Sequence, residues 1–198
     1  MPISHKYKLI FIHIPKNAGT ALTKYLQMKD EGHHSWQYYR RRYPAQWKTY
    51  TKIAIIRNPW DRVISNYTYA RMEKSYWHSE TSKSGKHVDY DLLLHKSFEE
   101  LLDILATTAQ VLRHQGWSCQ KSYIVDSKNN LMVDHIMDIS QVNENLSAIL
   151  QRPMELPMVN TSPPLKEDVN WVHFDNVVNS VYKADILYFK FTSPYLKG

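Results

Sequence analysis

The chain has 198 residues, 43% of them hydrophobic and 13% aromatic, which is enough apolar material for one folded domain and excludes an intrinsically disordered chain. No apolar stretch is long enough to span a membrane, and the first one begins too early to follow a signal peptide, so a cytoplasmic location is expected. Cys119 is the only cysteine, which excludes an intramolecular disulfide and a zinc site built from cysteines.

The charge is distributed unevenly along the chain. Residues 1–90 carry 16 basic and 6 acidic side chains, a net charge of +10, whereas residues 91–198 carry 9 basic and 13 acidic ones, a net charge of −4. A basic N-terminal half is typical of proteins that bind an anionic ligand, such as a nucleotide, a nucleic acid or an acidic polysaccharide. Charge alone does not choose among these ligands.

Two short apolar segments predict buried strands, and each is followed by a predicted helix. The strands are residues 8–14 and 52–56, and the helices are residues 20–28 and 61–72. Continuously apolar strands that lead into helices are typical of a parallel sheet with helices packed on its faces. We therefore predict an α/β fold with a P-loop-like parallel β-sheet flanked by helices.

The remaining elements are less regular. No linker divides the chain, so residues 1–198 are predicted to form a single domain. The predicted elements are a helix over 97–108, a strand over 131–139, a helix capped by Ser140 that runs to about Leu150, a closing helix over 176–188, a mobile loop over 74–91 and a proline-rich loop over 152–165.

The turn after the first strand has the composition of an anion-binding loop. It reads Ile14-Pro15-Lys16-Asn17-Ala18-Gly19-Thr20-Ala21. Such a turn directs the first N–H groups of the helix at one point, Ala18 and Gly19 let a ligand approach the backbone, and Lys16 supplies a cation. Because Lys16 precedes the small residues, the turn is not a Walker A motif. A phosphate or sulfate site is predicted, with an ordinary turn as the alternative.

The second turn follows the second strand and adds a basic side chain. Arg57 stands at the end of that strand, where a guanidinium can bind a phosphate with two parallel hydrogen bonds, and Ser65 on the next helix can donate from its hydroxyl. Arg62 lies in the first turns of the same helix, where it could assist in binding the phosphate, but it is interpreted as a solvated side chain.

Together the two turns resemble the donor-binding motifs of sulfotransferases. Residues 12–20, IHIPKNAGT, resemble the 5′-phosphosulfate loop, and residues 56–67, IRNPWDRVISNY, resemble the 3′-phosphate motif, with the carbohydrate-type enzymes most similar. The resemblance implies the sulfotransferase fold and transfer of a sulfuryl group from 3′-phosphoadenosine 5′-phosphosulfate (PAPS) to an acceptor hydroxyl, with a carbohydrate favoured. The product would be 3′-phosphoadenosine 5′-phosphate (PAP), and no metal is implied.

The resemblance also implies roles for individual residues. Lys16 would stabilise the leaving oxygen, and Asn17 stands where many relatives have serine or threonine. The residues implied to bind the 5′-phosphosulfate are Lys16 and the backbone of Asn17, Ala18, Gly19, Thr20 and Ala21, and those implied to bind the 3′-phosphate are Arg57 and Ser65.

A hydroxyl acceptor requires a base, and histidine or glutamate is the usual residue. By the resemblance, the base is His34, with His33 second, although both histidines also fit an exposed loop. The other side chains considered are Glu80, His78 and His87 as less favoured bases, His114 as part of an acceptor site, and His13 and His135 as structural residues.

The acceptor is not determined by the sequence. Residues 36–43 interleave aromatic side chains with three arginines, which fits either contact with an acidic glycan or a solvated helix face. The alternative function, from another class, is a non-catalytic nucleotide- or nucleic-acid-binding protein with a basic N-terminal half. The expected partners are a nucleotide donor and a hydroxyl acceptor rather than nucleic acid, and the sequence does not indicate an oligomeric state.

Overall fold

The computed structural model describes residues 2–29, 31–74, 85–157 and 162–195. The strands are β1 (Ile3–Ser4), β2 (Leu9–Ile12), β3 (Thr51–Ile56) and β4 (His135–Asp138). The α-helices are α1 (Gly19–Tyr25), α2 (Trp36–Arg42), α3 (Pro44–Thr49), α4 (Pro59–Ala70), α5 (Tyr90–Leu93), α6 (Phe98–Thr107), α7 (Lys121–Ile124), α8 (Val142–Leu150), α9 (Trp171–Val181) and α10 (Lys183–Phe189).

The chain divides into two compact units. The sheet unit comprises Met1–Arg57 and Ser118–Val159, and the helical unit comprises Asn58–Trp117 and Asn160–Gly198. All four strands belong to the sheet unit, together with α1, α2, α3, α7 and α8. The single domain over residues 1–198 stays a prediction.

The sheet has the strand order β1-β2-β3-β4. β2 pairs in parallel with β3, and β3 with β4, whereas β1 runs antiparallel to β2. Every residue of β2 and the last four of β3 are buried, which is why these segments are apolar throughout instead of alternating. Phe11 of β2 lies in one hydrophobic cluster with Leu22 of α1 and Leu146 of α8. The predicted α/β fold, a parallel sheet with helices packed against it, is confirmed.

α1 ends earlier than predicted, at Tyr25. Gln27 adopts the left-handed conformation with φ 53°, and its N–H donates to Lys24 O. The N–H of Met28 donates to Thr23 O over 2.8 Å. This is the Schellman ending of a helix, which satisfies the last carbonyl groups and turns the chain away.

The region around β4 also differs from the prediction. The strand is limited to His135–Asp138, and Leu131 makes only an isolated bridge with Val125. Ser140 does not cap α8, because it lies within a 3₁₀ turn where its own N–H donates to the carboxylate of Asp138. The predicted cap was wrong because the aspartate two residues earlier accepts the hydrogen bonds at this turn.

The helical unit is built on α4, α6 and α9. The predicted helix over 97–108 is confirmed as α6, and Ser97 forms a capping box with Glu100 at its start. The ring of Phe98 lies 5.2 Å from that of Tyr67 on α4 and 5.2 Å from that of Phe174 on α9, so these aromatic contacts join the three helices.

The closing helix is divided in two. α9 begins at Trp171, where the side chain of Asn170 accepts from His173 N, and it ends at Val181. Tyr182 then leaves the helical conformation, and its buried hydroxyl donates to Trp117 O over 3.1 Å. The single helix predicted over 176–188 is therefore wrong.

The start of α4 is tied to the C-terminal segment. Asn58 caps α4 by accepting from Trp60 N, and its Nδ2 donates to Thr192 O over 2.9 Å. Asp61 in the first turn accepts from the hydroxyl of Tyr195 at 2.7 Å. Residues beyond α10 thus hold the first turn of α4.

The predicted mobile loop over 74–91 lies mostly outside the described residues, since 75–84 are not described. The predicted loop over 152–165 has neither helix nor strand in its described part. Within the described ranges, none of the helices is long and apolar enough to cross a membrane.

Candidate functional site

The turn between β2 and α1, which the sequence predicts to be an anion cradle, contains two residues in the left-handed conformation. These are Lys16 and Ala18, with φ 70° and φ 57°. Within the described part of the chain, the N–H groups of residues 17–20 have no hydrogen-bond acceptor. Unpaired N–H groups at the start of a helix attract anions, because their partial positive charges converge on one point.

Gly19 is required by packing against His13. A Cβ atom at this position would lie 2.0 Å from the imidazole ring of His13. That ring is buried and stacks with Phe11 at a centroid distance of 5.5 Å. His13 therefore has the structural role expected from the sequence, and it holds the backbone of the turn against the end of β2.

The side chain of Asn17 points into the interior. It is fully buried, and its Nδ2 donates to Ile55 O at 2.8 Å and to the side chain of Gln120 at 2.7 Å. Asn17 therefore fixes the turn to β3 through its side chain, while its backbone N–H remains at the cradle.

Arg57 connects the second motif to the first turn by a hydrogen bond. It follows β3 directly, and its Nη1 donates to Lys16 O over 3.4 Å. The buried amide of Gln120 pairs with the backbone of Arg57, accepting from its N–H at 2.9 Å and donating to its carbonyl at 2.7 Å. Sequence reasoning missed Gln120, since it lies 63 residues from Arg57 and outside both motifs.

Ser65 and Arg62 lie on α4 in the helical unit. The Oγ of Ser65 is 3.1 Å from that of Ser162, and the Ser162 hydroxyl also contacts the Ser65 carbonyl at 2.9 Å. Arg62 is only 2% exposed, so its interpretation as a solvated side chain is wrong. The face of α4 that carries it is buried, which the composition of the first helical turns did not reveal.

The two candidate base histidines lie between α1 and α2. His33 Nδ1 is 3.3 Å from the carbonyl of His13, and the two rings pack edge to face at 4.4 Å. His34 Nε2 is 3.0 Å from Glu31 O, and its ring stacks on Tyr38 at 3.9 Å. A carbonyl only accepts, so neutral His33 donates through Nδ1 and neutral His34 through Nε2.

The carboxylate of Glu31 also contacts Tyr43. The hydroxyl of Tyr43 donates to both carboxylate oxygens, at 3.0 and 3.1 Å. Partial burial and this hydrogen bond raise the pKa of Tyr43 above its ordinary value. The loop that carries His34 is therefore anchored on the end of α2.

A model described as the sulfotransferase family matches residues 1–160, which include both turns and both histidines. The chain belongs to the sulfotransferase family. Sulfotransfer from a sulfate donor is therefore its class of activity, and the predicted sulfotransferase fold is confirmed. No curated protein and no solved structure matches the chain in the corresponding comparisons.

In this sulfotransferase, the aromatic and basic side chains of α2 differ in exposure. Trp36 and Tyr39 are buried, so neither can stack on a sugar, and Tyr38 is in contact with His34. Residues 40–42, all arginines, are exposed. α2 thus presents charge to solvent, while its aromatic residues anchor it to the sheet unit.

The remaining candidates are placed as follows. His114 donates its N–H to the buried carboxylate of Asp89, which also accepts from Trp117 Nε1 at 2.9 Å. The ring of buried His87 lies 4.3 Å from that of His114.

His135 is exposed on β4. His78 and Glu80 lie outside the described residues. Of the residues that are described, no three histidine, cysteine, aspartate or glutamate side chains form a metal-binding group.

Proposed function

We propose that the sulfotransferase moves a sulfuryl group from PAPS to an acceptor hydroxyl, with PAP as the other product. The observation that supports this most directly is the proximity of a basic side chain to the predicted anion cradle. Arg57 contacts Lys16 O, next to the N–H groups of residues 17–20, which have no acceptor among the described residues. The 5′-phosphosulfate and the 3′-phosphate of PAPS are both anionic, so the residues present fit the donor.

We assign the donor contacts by motif. Lys16 and the backbone of residues 17–21 would hold the 5′-phosphosulfate, and Arg57 would hold the 3′-phosphate that distinguishes PAPS from ATP. The contact of Ser65 with the 3′-phosphate stays a prediction from the second motif. The hydroxyl of Ser65 makes contacts with Ser162 in the helical unit, and a ligand would exchange them for its own.

The proposed reaction is a direct displacement at sulfur. The acceptor oxygen forms the new S–O bond while the S–O bond to the 5′-phosphate breaks, and the acceptor proton passes to a base. Negative charge grows on the departing phosphate oxygen, where the ammonium group of Lys16 would stabilise it. Most of the acceleration would come from positioning and electrostatic stabilisation, and no metal is required in this scheme.

His33 and His34 remain the proposed bases. His33 contacts His13, the residue at the end of β2 from which the anion-binding turn begins. A hydrogen bond from Nδ1 to a backbone carbonyl fixes the orientation of an imidazole, and Nε2 is then the proton acceptor of the neutral ring. We therefore compare His33→Ala with His34→Ala. The variant that lacks the base is expected to lose sulfuryl transfer while it still binds PAP.

We propose a carbohydrate with acidic groups as the acceptor. The exposed arginines at 40–42 lie in the last turn of α2, the helix that follows the His33 and His34 loop, so an anionic polymer bound along α2 lies on the element adjoining the proposed base. A cytoplasmic location stays a prediction.

Thermal unfolding with PAP, AMP and ATP, on the wild type and on Arg57→Ala, tests the proposed function. A ligand at 100 times its dissociation constant adds about 2.7 kcal/mol to the free energy of unfolding. We expect stabilisation by PAP above that by AMP or ATP, and its loss in Arg57→Ala. Lys16→Ala should lower the rate of sulfuryl transfer by about 10²–10³-fold, with exposed Lys48→Ala as the control.

Two results would contradict the proposal. One is equal stabilisation by PAP and AMP, together with binding to nucleic acid that weakens steeply with salt, which is the behaviour of the non-catalytic alternative. The other is a normal rate of sulfuryl transfer by Lys16→Ala.

A further inference from the structure

We propose that Gln120 is a positioning residue that orients Arg57 toward the 3′-phosphate and couples this arginine to the 5′-phosphosulfate turn. This inference rests on the proposed function, because it assumes that Arg57 recognises the 3′-phosphate of the donor. Gln120 belongs to neither motif and follows the short 3₁₀ turn at Gln115–Trp117.

The first observation is that the amide of Gln120 pairs with the backbone of Arg57 at two points. Oε1 accepts from Arg57 N at 2.9 Å, and Nε2 donates to Arg57 O at 2.7 Å. The orientation of the amide follows from its partners, because a backbone N–H only donates and a carbonyl only accepts. Gln120 therefore fixes the two peptide groups that flank Arg57, the residue that follows β3 in the second motif.

The second observation is that the same amide reaches the first turn. Oε1 of Gln120 also accepts from Nδ2 of Asn17 at 2.7 Å, and Asn17 donates in turn to Ile55 O near the end of β3. One buried oxygen thus accepts from both motifs, and a displacement of either motif strains the hydrogen bonds of the other.

Burial makes these hydrogen bonds effective in positioning. Gln120 and Asn17 are both 0% exposed, so water does not replace a hydrogen bond that is lost between them. The side chain of Arg57 already extends to Lys16 O, and its direction depends on the backbone from which it starts. A ligand site of two charged groups loses affinity when either is misplaced by about 1 Å.

The variant Gln120→Met tests the role, because methionine fills a similar volume without the amide. The measured quantity is the ratio of the AMP and PAP dissociation constants, obtained by isothermal titration calorimetry. AMP lacks only the 3′-phosphate, so the ratio reports its recognition. We expect Gln120→Met to lower the ratio about tenfold, equivalent to about 1.4 kcal/mol. The exposed Gln141→Ala is the matched control and should leave it unchanged.

The double variant Gln120→Met/Arg57→Ala separates positioning from general loosening of the fold. If Gln120 acts through Arg57, then Gln120→Met causes no further loss of the ratio once Arg57 is absent. A purely structural role would weaken AMP and PAP binding equally and leave the ratio unchanged in every background.

The outcomes distinguish this inference from the proposed function. A wild type that binds PAP no better than AMP overturns the proposed function. A wild type that prefers PAP, an Arg57→Ala variant that loses the preference and a Gln120→Met variant that keeps it overturn the role of Gln120 alone. Should Gln120→Met not fold, hydrogen exchange on the wild type decides: the amide of Arg57 and the side-chain amide of Asn17 should be protected, and rapid exchange at both would refute the bridge.

Discussion

Gly19 shows how a single backbone position serves both packing and binding. The ring of His13 is in contact with Phe11 on one side and with His33 on the other, so it is held in place where a Cβ atom of residue 19 would need to lie. The absence of a side chain lets the chain pass this ring and leaves the adjacent N–H groups open to a ligand.

We expect Gly19→Ala to lower the free energy of unfolding by about 1–3 kcal/mol, because the added methyl group overlaps the buried ring of His13. Urea unfolding measures the change. In the His13→Ala background the ring is absent, so Gly19→Ala should leave the free energy of unfolding unchanged or raise it. The reason for a rise is that alanine exceeds glycine in helix propensity by about 1 kcal/mol. An equal cost in both backgrounds would show that the overlap with His13 is not the cause.

At the scale of elements, one carboxylate connects two helices of the helical unit. Glu167 accepts from the hydroxyl of Tyr67 and the guanidinium of Arg71 on α4, and from Phe98 N at the start of α6. Partial burial alone would raise the pKa of the Glu167 carboxyl, but the hydrogen bonds outweigh it and hold the pKa below its ordinary value. Burial and the hydrogen bond to Glu167 raise the pKa of Tyr67.

This carboxylate should make the stability of the wild type depend on pH on the acidic side. Because the pKa of Glu167 is lower in the folded state than in the unfolded state, its contribution is complete above the unfolded value of about 4.3 and is lost as the pH falls through the folded value. We expect Glu167→Gln to lower stability more at pH 6 than at pH 3 in urea unfolding. The exposed Glu155→Gln should show no such difference, and an equal effect of Glu167→Gln at both pH values would contradict the linkage.

At the scale of the whole molecule, the imbalance of charge predicts how salt affects binding of an acidic acceptor. We expect the triple variant Arg40→Gln/Arg41→Gln/Arg42→Gln to bind a sulfated polysaccharide more weakly, with a salt dependence lower by about 2 in logarithmic slope, since each neutralised anion contributes roughly 0.7. PAP binding should not change. Fluorescence titration at several salt concentrations measures both.

A matched triple variant controls for net charge. Three lysines that are exposed in the C-terminal half serve for this, Lys128, Lys166 and Lys183, and their replacement by glutamine removes the same charge. If both triple variants lower the salt dependence equally, net charge and not α2 governs the binding.

The parts of the molecule that the sequence predicted are those with local causes. β2 and the last four residues of β3 are short apolar segments, and the capping box of α6 joins Ser97 and Glu100, only three residues apart, so burial and capping are readable from neighbours in the chain. The pairing of the two motifs was also predictable, because the carboxyl ends of adjacent parallel strands lie at one edge of a sheet.

The parts that the sequence did not predict depend on distant partners. Gln120 acts on a residue 63 positions away, and the division of the closing helix occurs where Tyr182 donates to Trp117 O. Arg62 is buried although its position in the helix suggested exposure. No pattern of neighbouring residues distinguishes these side chains from ordinary polar ones.

The ties between α4 and the C-terminal segment have a practical consequence for fragments. The range that matches the family ends at residue 160, but Phe174 packs on α6, and Thr192 and Tyr195 hold the first turn of α4. A fragment cut at residue 160 would retain both donor motifs while it exposes the ring of Phe98 and removes Thr192 O, the acceptor of Asn58 Nδ2. A recombinant form for crystallisation or assay should therefore extend at least through Tyr195.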